Sequence, residues 1–422
     1  MGTNIFVRPT GPQRRVVVTG MGLITPLGLN LDESWQGLVS GKSGIGPITQ
    51  FDAGAFDARI AGEVKGFQPD TYIPKKEQKK MERFIQFSLA ATKMALDDAQ
   101  LQVSDNEKAR VGTIIGVGMG GLAFIEAQHD VLKERGPGRI SPFFIPAVIT
   151  NMAAGQISMA YGFKGPNYCT TSACASGAHA IGEAADFIRS GRADVMIAGG
   201  AEAVVTPMAI GGFAAMRALS TRNDHPVAAS RPWDRDRDGF VLAEGSGVLV
   251  LEDYEYASQR GAKIYAEVCG YGTSSDAYHM TSPSPGGEGA SQAMKYCLDD
   301  AQVRAEQVDY VNAHGTSTPA GDELETMAIK RVFGDHAKKL WVSSTKSMIG
   351  HTLGAAGAVE SVICVQALRT SQVPPTINLD NPSDDCDLDY VPKVSRERKL
   401  NYVLNNSFGF GGTNVSLLFG RI

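Results

Sequence analysis

Cysteine is scarce in this chain: six residues in 422, at positions 169, 174, 269, 297, 364 and 386. They are too few and too scattered for a disulfide scaffold. No CxxC pair and no zinc-like histidine spacing occurs, so neither a metal nor a cofactor is expected. No apolar run approaches the roughly 20 residues that a membrane span needs. Basic residues are in slight deficit, 40 Lys and Arg against 45 Asp and Glu for a net charge of −5, which leaves no global field for nucleic acid. Glycine never settles into a period of three, which excludes collagen. The opening stretch MGTNIFVRPTGPQRR lacks the apolar segment of a signal peptide, and Phe6 breaks the N-myristoylation pattern. Residues 1–13 read as a loose leader. The expectation is a cytoplasmic, globular chain with reduced thiols that engages neither membrane nor nucleic acid.

The chain is rich in apolar residues, at 43% against 20% charged, which suits a large core and is incompatible with disorder. Forty-eight glycines point to tight turns and close helix–sheet contacts. Continuous apolar runs, each ending in Gly or small residues, begin at RVVVT (15–19) and recur at 111–118, 193–200, 245–252, 265–272, 308–315 and 402–409. Such runs mark strands buried on both faces. Helical patterns lie between them at 78–100, 177–191, 289–301 and 354–371. The alternation predicts an α/β protein with largely parallel sheets.

A faint repeat runs through the chain. TSACASGAHAIGEAADFIRSG (171–191) overlays HTLGAAGAVESVICVQALRTS (351–371) at an offset of 180, and RVGTIIGVGMG (110–120) overlays QVDYVNAHGTS (307–317) more loosely. A duplicated α/β unit would place one half at 14–260 and the other at 261–422.

Three residues stand out chemically. Cys174 opens a helix of small residues, where the macrodipole favours a thiolate and free N–H groups can hold an oxyanion. His314 ends an apolar strand and enters Gly315-Thr316-Ser317-Thr318. His351 falls, in the repeat, on the position of Thr171, so pseudo-symmetry would bring it to Cys174. A cysteine with two histidines is a nucleophile with acid/base partners. Gly116-Val117-Gly118-Met119-Gly120-Gly121 fits G-x-G-x-x-G, yet no strand ending in an acid follows at the dinucleotide spacing, which argues against NAD. The stretch Asn406-Ser407-Phe408-Gly409-Phe410-Gly411-Gly412-Thr413-Asn414 can turn backbone N–H groups and two aromatic rings toward a ligand. After Pro74 the basic residues Lys75, Lys76, Lys79, Lys80 and Arg83 fall on one helical face and could meet an acidic partner.

Four of these segments, TSACASGAHAIG, VNAHGTST, STKSMIGHTLGAAG and NSFGFGGTN, closely resemble the β-ketoacyl-acyl-carrier-protein synthases, elongating condensing enzymes of bacterial fatty-acid synthesis. The resemblance runs from about Arg15 to the C-terminus. It implies a thiolase-like fold, two pseudo-symmetric halves in α-β-α-β-α layers, usually as a homodimer. It implies decarboxylative condensation of acyl- with malonyl-carrier-protein through an acyl-cysteine. By position Cys174 resembles the nucleophile, His314 and His351 the pair that promotes decarboxylation, and Lys346 the residue that tunes them. Phe408 resembles the gating phenylalanine whose N–H joins that of Cys174 in the oxyanion hole. Met119, Thr316, Thr318 and Phe410 resemble substrate-pocket residues, with Met119 deep in the acyl end. Lys76, Lys79, Lys80 and Arg217 fall on positions that meet acyl carrier protein. The Cys-His-His set excludes the initiating Cys-His-Asn enzymes, and the cysteine distinguishes the chain from chain-length partners. A polyketide ketosynthase remains open.

Overall fold

The apolar runs form strands, and a computed structural model describes them within residues 14–422. The leader read over 1–13 lies outside the described residues. In chain order the strands are β1 (Val16–Ile24), β2 (Gly46–Pro47), β3 (Ile60–Ala61), β4 (Val111–Gly116), β5 (Asn167–Thr170), β6 (Val195–Glu202) and β7 (Gly245–Asp253). They continue with β8 (Ala266–Ser275), β9 (Tyr310–Asn312), β10 (Trp341–Ser343), β11 (Gln372–Val373), β12 (Arg396–Glu397), β13 (Tyr402–Gly409) and β14 (Thr413–Gly420). Ten make one sheet in the order β10-β9-β13-β14-β8-β1-β7-β6-β4-β5, and the other four form the pairs β2-β3 and β11-β12.

The ten-stranded array is two copies of one plan. From β1 outward, β7 and β6 follow antiparallel, then β4 and β5 parallel. From β8 outward, β14 and β13 follow antiparallel, then β9 and β10 parallel. The seam between the copies is thin, Val17 opposite Glu267 and Val18 opposite Ala266. The expectation of largely parallel sheets is therefore corrected: four neighbour pairings are parallel and five are antiparallel. A continuous apolar run reports burial on both faces, whereas strand direction is set by the connections. Gly411 and Gly412, at φ 87° and 74°, close the β13–β14 hairpin in a conformation that side chains resist.

Helices complete the layers. Helix Arg83–Ala99 packs on β1 and β7, and helix Glu288–Ala301 packs on β8 and β14. Between the blocks, helices Ser176–Arg189 and Ala356–Thr370 pack on each other and on strands of both copies. The second of these is buried from Ala356 to Leu368, so its sequence is mostly apolar or small all round, with Glu360 and Gln366 as its buried polar residues. The two helices cross through reciprocal glycines. A Cβ on Gly177 would lie 2.8 Å from the Cβ of Ala358, and one on Gly357 would lie 2.7 Å from the Cβ of Ala178. This contact explains why ASGA and AAGA recur at an offset of 180: only Gly lets two helices approach so closely.

The basic stretch departs from expectation. Pro74, at ψ 134°, caps a helix confined to Lys75–Gln78, and a second helix starts at Arg83. Lys80 pairs with Glu77 at 2.8 Å, and Arg83 turns inward to the buried Glu244 at 2.9 Å. The five cations thus do not share one helical stripe. Among the described residues no helix is long and apolar enough to cross a membrane.

Candidate active site

Cys174 sits in the turn between β5 and helix Ser176–Arg189. The turn is strained, with Ala173 at φ 49°. Its small side chain tolerates this and leaves the thiol projecting inward, 8% exposed. His314 follows β9, and its N–H and that of Gly315 donate to the two oxygens of the buried Glu325 at 2.9 and 2.8 Å. His351 follows the short helix Lys346–Ile349. Its backbone is held by Val241 and Ala243 of the other half, at 2.7 and 2.9 Å. Lys346, buried, donates to the equally buried Glu360.

These segments converge. His351 Nε2 lies 3.0 Å from Cys174 Sγ. The His314 and His351 rings are 5.4 Å apart and nearly perpendicular at 86°. One reacting atom from each of Cys174, His314 and His351 lies within 4.8 Å of the other two. The three line a cavity of about 650 Å³. Phe240 packs edge-on to His351 at 5.3 Å, and Phe408 leans on His314 at 5.7 Å.

Burial dominates the electrostatics. It pushes the Cys174 thiol up to about 12, against the lowering influence of Lys346 and of the backbone N–H groups of Phe410 and Cys174. Removal from water thus opposes the thiolate that a helix start favours. Burial, then the Lys346 charge, then His351 hold His314 well below the ordinary histidine range. Burial and Lys346 do the same for His351. Both imidazoles are therefore neutral at pH 7. Neither Nδ1 has a partner among the described residues, and His351 Nε2 is placed to accept from the Cys174 thiol. A Cys-His-His set can in outline ligate a soft metal. Here the rings lack the Nδ1 partners that orient metal-bound histidines, and an ammonium bears on both. The set reads as a nucleophile with proton-handling partners.

The protonated thiol carries a prediction. Between about pH 6 and pH 9 the alkylation rate of Cys174 by iodoacetamide, followed on its own peptide, rises about tenfold per pH unit without levelling. A plateau inside that range would show a preformed thiolate instead.

The other sequence candidates divide. Met119, Thr316, Thr318, Phe408, Phe410 and Arg217 all line the cavity, and the hydroxyls of Thr316 and Thr318 are 3.1 Å apart. Lys76, Lys79 and Lys80 are not part of its lining. One assignment is corrected. The N–H that joins that of Cys174 at the thiol belongs to Phe410 rather than Phe408. Phe408 is the last but one residue of β13, paired with Asn414, whereas Phe410 lies in the free hairpin turn. The N–H placed at the thiol is thus that of Phe410.

The chain matches two family models in tandem, "Beta-ketoacyl synthase, N-terminal domain" over residues 13–257 and "Beta-ketoacyl synthase, C-terminal domain" over 265–380. The chain belongs to the beta-ketoacyl synthase family. Among curated relatives, the 3-oxoacyl-[acyl-carrier-protein] synthase 2 of Coxiella burnetii is 54% identical over 410 residues, 97% of this chain and 99% of that one. The protein of that name from Synechocystis is 52% identical over 409 residues, 97% and 98% of the two chains. Among solved structures, a type II polyketide ketosynthase in complex with its acyl carrier protein superposes with a TM-score of 0.90 at 36% identity, covering 97% of this chain and all of that one. A beta-ketoacyl synthase from Burkholderia phymatum gives 0.90 at 37% identity with the same coverage. The fold is thiolase-like, and the chain is a condensing enzyme, an acyltransferase of fatty-acid synthesis.

Several residues that shape this enzyme's site escape a sequence reading. Glu325 holds the turn at His314, Glu360 neutralises Lys346, and Asn406 bridges to Glu325 at 3.2 Å. An acid 11 residues after His314, on a helix, looks like any solvated residue. Only its position on the buried face of helix Pro319–Phe333 separates it.

Proposed function

We propose that Cys174, His314, His351 and the Phe410 N–H carry a decarboxylative condensation of acyl- with malonyl-carrier-protein, as in 3-oxoacyl-acyl-carrier-protein synthase 2. The observation that carries this is the 3.0 Å approach of His351 Nε2 to the Cys174 thiol, with His314 beside them at the cavity wall.

In the first half-reaction Cys174 Sγ attacks the acyl thioester carbonyl, and its proton passes through His351 Nε2 to the departing carrier thiol. The N–H groups of Cys174 and Phe410 receive the oxyanion. In the second, malonyl-carrier-protein enters. Neutral His314 and His351, now presenting Nε2–H, donate to its thioester oxygen as CO₂ leaves, so the enolate forms without a strong base. Each donor contributes roughly 3 kcal/mol to lowering the barrier. The enolate carbon attacks the acyl-Cys174 carbonyl, and the tetrahedral intermediate expels the Cys174 sulfur as a thiolate, which takes one proton from solvent water. The products are 3-oxoacyl-carrier-protein, CO₂ and free carrier protein, and the steps balance with that one proton consumed. Burial keeps both rings neutral, and the nearby Lys346 charge adds to it by opposing a second positive charge.

The carrier protein is acidic in this reading, and Arg217, exposed and lining the cavity, is its most direct contact on this chain, with Lys76, Lys79 and Lys80 as outlying cations. Residues 14–260 and 261–422 are the two duplicated units. We further propose a cytoplasmic homodimer. Ile145, Ile149 and Met159 are apolar and 59%, 40% and 64% exposed, and β5 is an edge strand of the sheet, features that suit a second copy. Incubation with an acyl-carrier-protein, then digestion and mass spectrometry, is expected to place the acyl mass on the Cys174 peptide. Addition of malonyl-carrier-protein is expected to discharge it as a product two carbons longer. An acyl group on another residue, or no discharge, would refute the assignment.

A further inference from the structure

Glu202, the last residue of β6, is fully buried and forms no ion pair among the described residues. Its carboxylate instead collects four backbone N–H groups. Gly118 and Gly354 donate to Oε2 at 2.8 and 3.0 Å. Met119 and Gly120 donate to Oε1 at 3.1 and 3.2 Å. The glycine-rich turn after β4, which mimics a dinucleotide motif in sequence, thus has its N–H groups occupied by an anion from the chain itself. Burial pushes this carboxyl up to about 7 while the four N–H groups pull it down. Only the ionised form can accept from all four.

The two turns so joined come from opposite halves, and both shape the cavity. Gly118 and Met119 of the first turn line it, and so do Leu353 and His351 at the second. Leu353 is itself held at φ 47°. The turns touch directly, since a Cβ on Gly354 would lie 2.2 Å from Gly118 N and 2.6 Å from Glu202 Oε2. We propose that Glu202 is a positioning residue that clamps the Met119 turn to the Leu353 turn and thereby sets how long an acyl chain the cavity accepts. This rests on the functional reading above and adds to it a determinant of specificity that contacts no substrate.

The test compares wild type with Glu202→Gln. The amide retains one acceptor oxygen and turns an NH₂ toward two N–H donors, so the turns part. With acyl-carrier-proteins of about eight and about sixteen carbons, the long-to-short ratio of kcat/KM is expected to rise about fivefold or more. Acylation of Cys174 by the short chain is expected not to fall below about a third of wild type, since loss of the Glu202 charge eases ionisation of the thiol. A folded variant whose ratio is unchanged, or whose rates fall by one common factor at every length, overturns the clamp. If Glu202→Gln does not fold, Gly354→Ala decides. It keeps the carboxylate but wedges Gly118 away, so the ratio is again expected to rise, and an unaltered ratio overturns the proposal. A wild-type enzyme that makes no 3-oxoacyl product defeats the functional reading. A condensing wild type beside variants of unchanged ratio defeats the clamp alone.

Discussion

Cys174→Ala removes the acyl-enzyme and lowers condensation by at least about a thousandfold, while release of CO₂ from malonyl-carrier-protein persists within about tenfold. The asymmetry follows from the geometry. Among the described residues, Cys174 supplies the sulfur in contact with His351 Nε2. Without it no thioester forms for the enolate to attack. The donors to the malonyl oxygen belong to His314 and His351, and alanine leaves both in place. Mass spectrometry of the intact protein and a ¹⁴CO₂ assay read the two outcomes separately. Retained condensation in the alanine variant would contradict the covalent route.

The histidines are expected to separate in the opposite sense. His314→Ala lowers decarboxylation by about a hundred- to a thousandfold, since one of two preorganised donors is lost. Acyl loading of Cys174 changes by less than about tenfold, because the thiol's contact is His351. His351→Ala slows loading as well, through loss of the 3.0 Å proton acceptor, but slows decarboxylation more. Single-turnover acylation and ¹⁴CO₂ release measured on the same variants test this division. Equal losses in both half-reactions for His314→Ala would remove it. Neither variant is expected to gain activity as the pH is lowered. Both imidazoles are held well below the ordinary histidine range, so the remaining ring stays neutral as the pH is lowered from neutrality and no new charge arrives to assist the enolate.

Much of this site was legible before any coordinates. The helix at Ser176–Arg189 and its counterpart at Ala356–Thr370 announce themselves as small-residue segments 180 positions apart, and the reciprocal packing of Gly177 and Gly357 is the reason. The overlay of His351 on Thr171 predicted the meeting with Cys174 from that symmetry. The short strands β5 and β10, and the last strand β14, carried weaker signals. The first two span only Asn167–Thr170 and Trp341–Ser343, too few residues for a period to register. The basic residues after Pro74 misled, because periodicity counts positions and cannot see that Lys79–Glu82 leaves the helix and that Arg83 is drawn to Glu244.

Residue type and order settle which atoms can react: a thiol that forms thioesters and two imidazoles that shuttle or donate protons are properties of the side chains, wherever they sit. They also settle the duplicated α/β plan, since hydrophobic pattern and small-residue spacing are local. The state of those atoms is a property of their surroundings. A helix start favours a thiolate at Cys174, and enclosure by both halves of the chain opposes it. The choice of the Phe410 N–H over that of Phe408, the neutrality of the histidines beside Lys346 and the grip of Glu202 on two distant turns arise the same way. Desolvation and hydrogen-bond geometry depend on groups hundreds of residues apart, and only the folded chain brings those groups into contact.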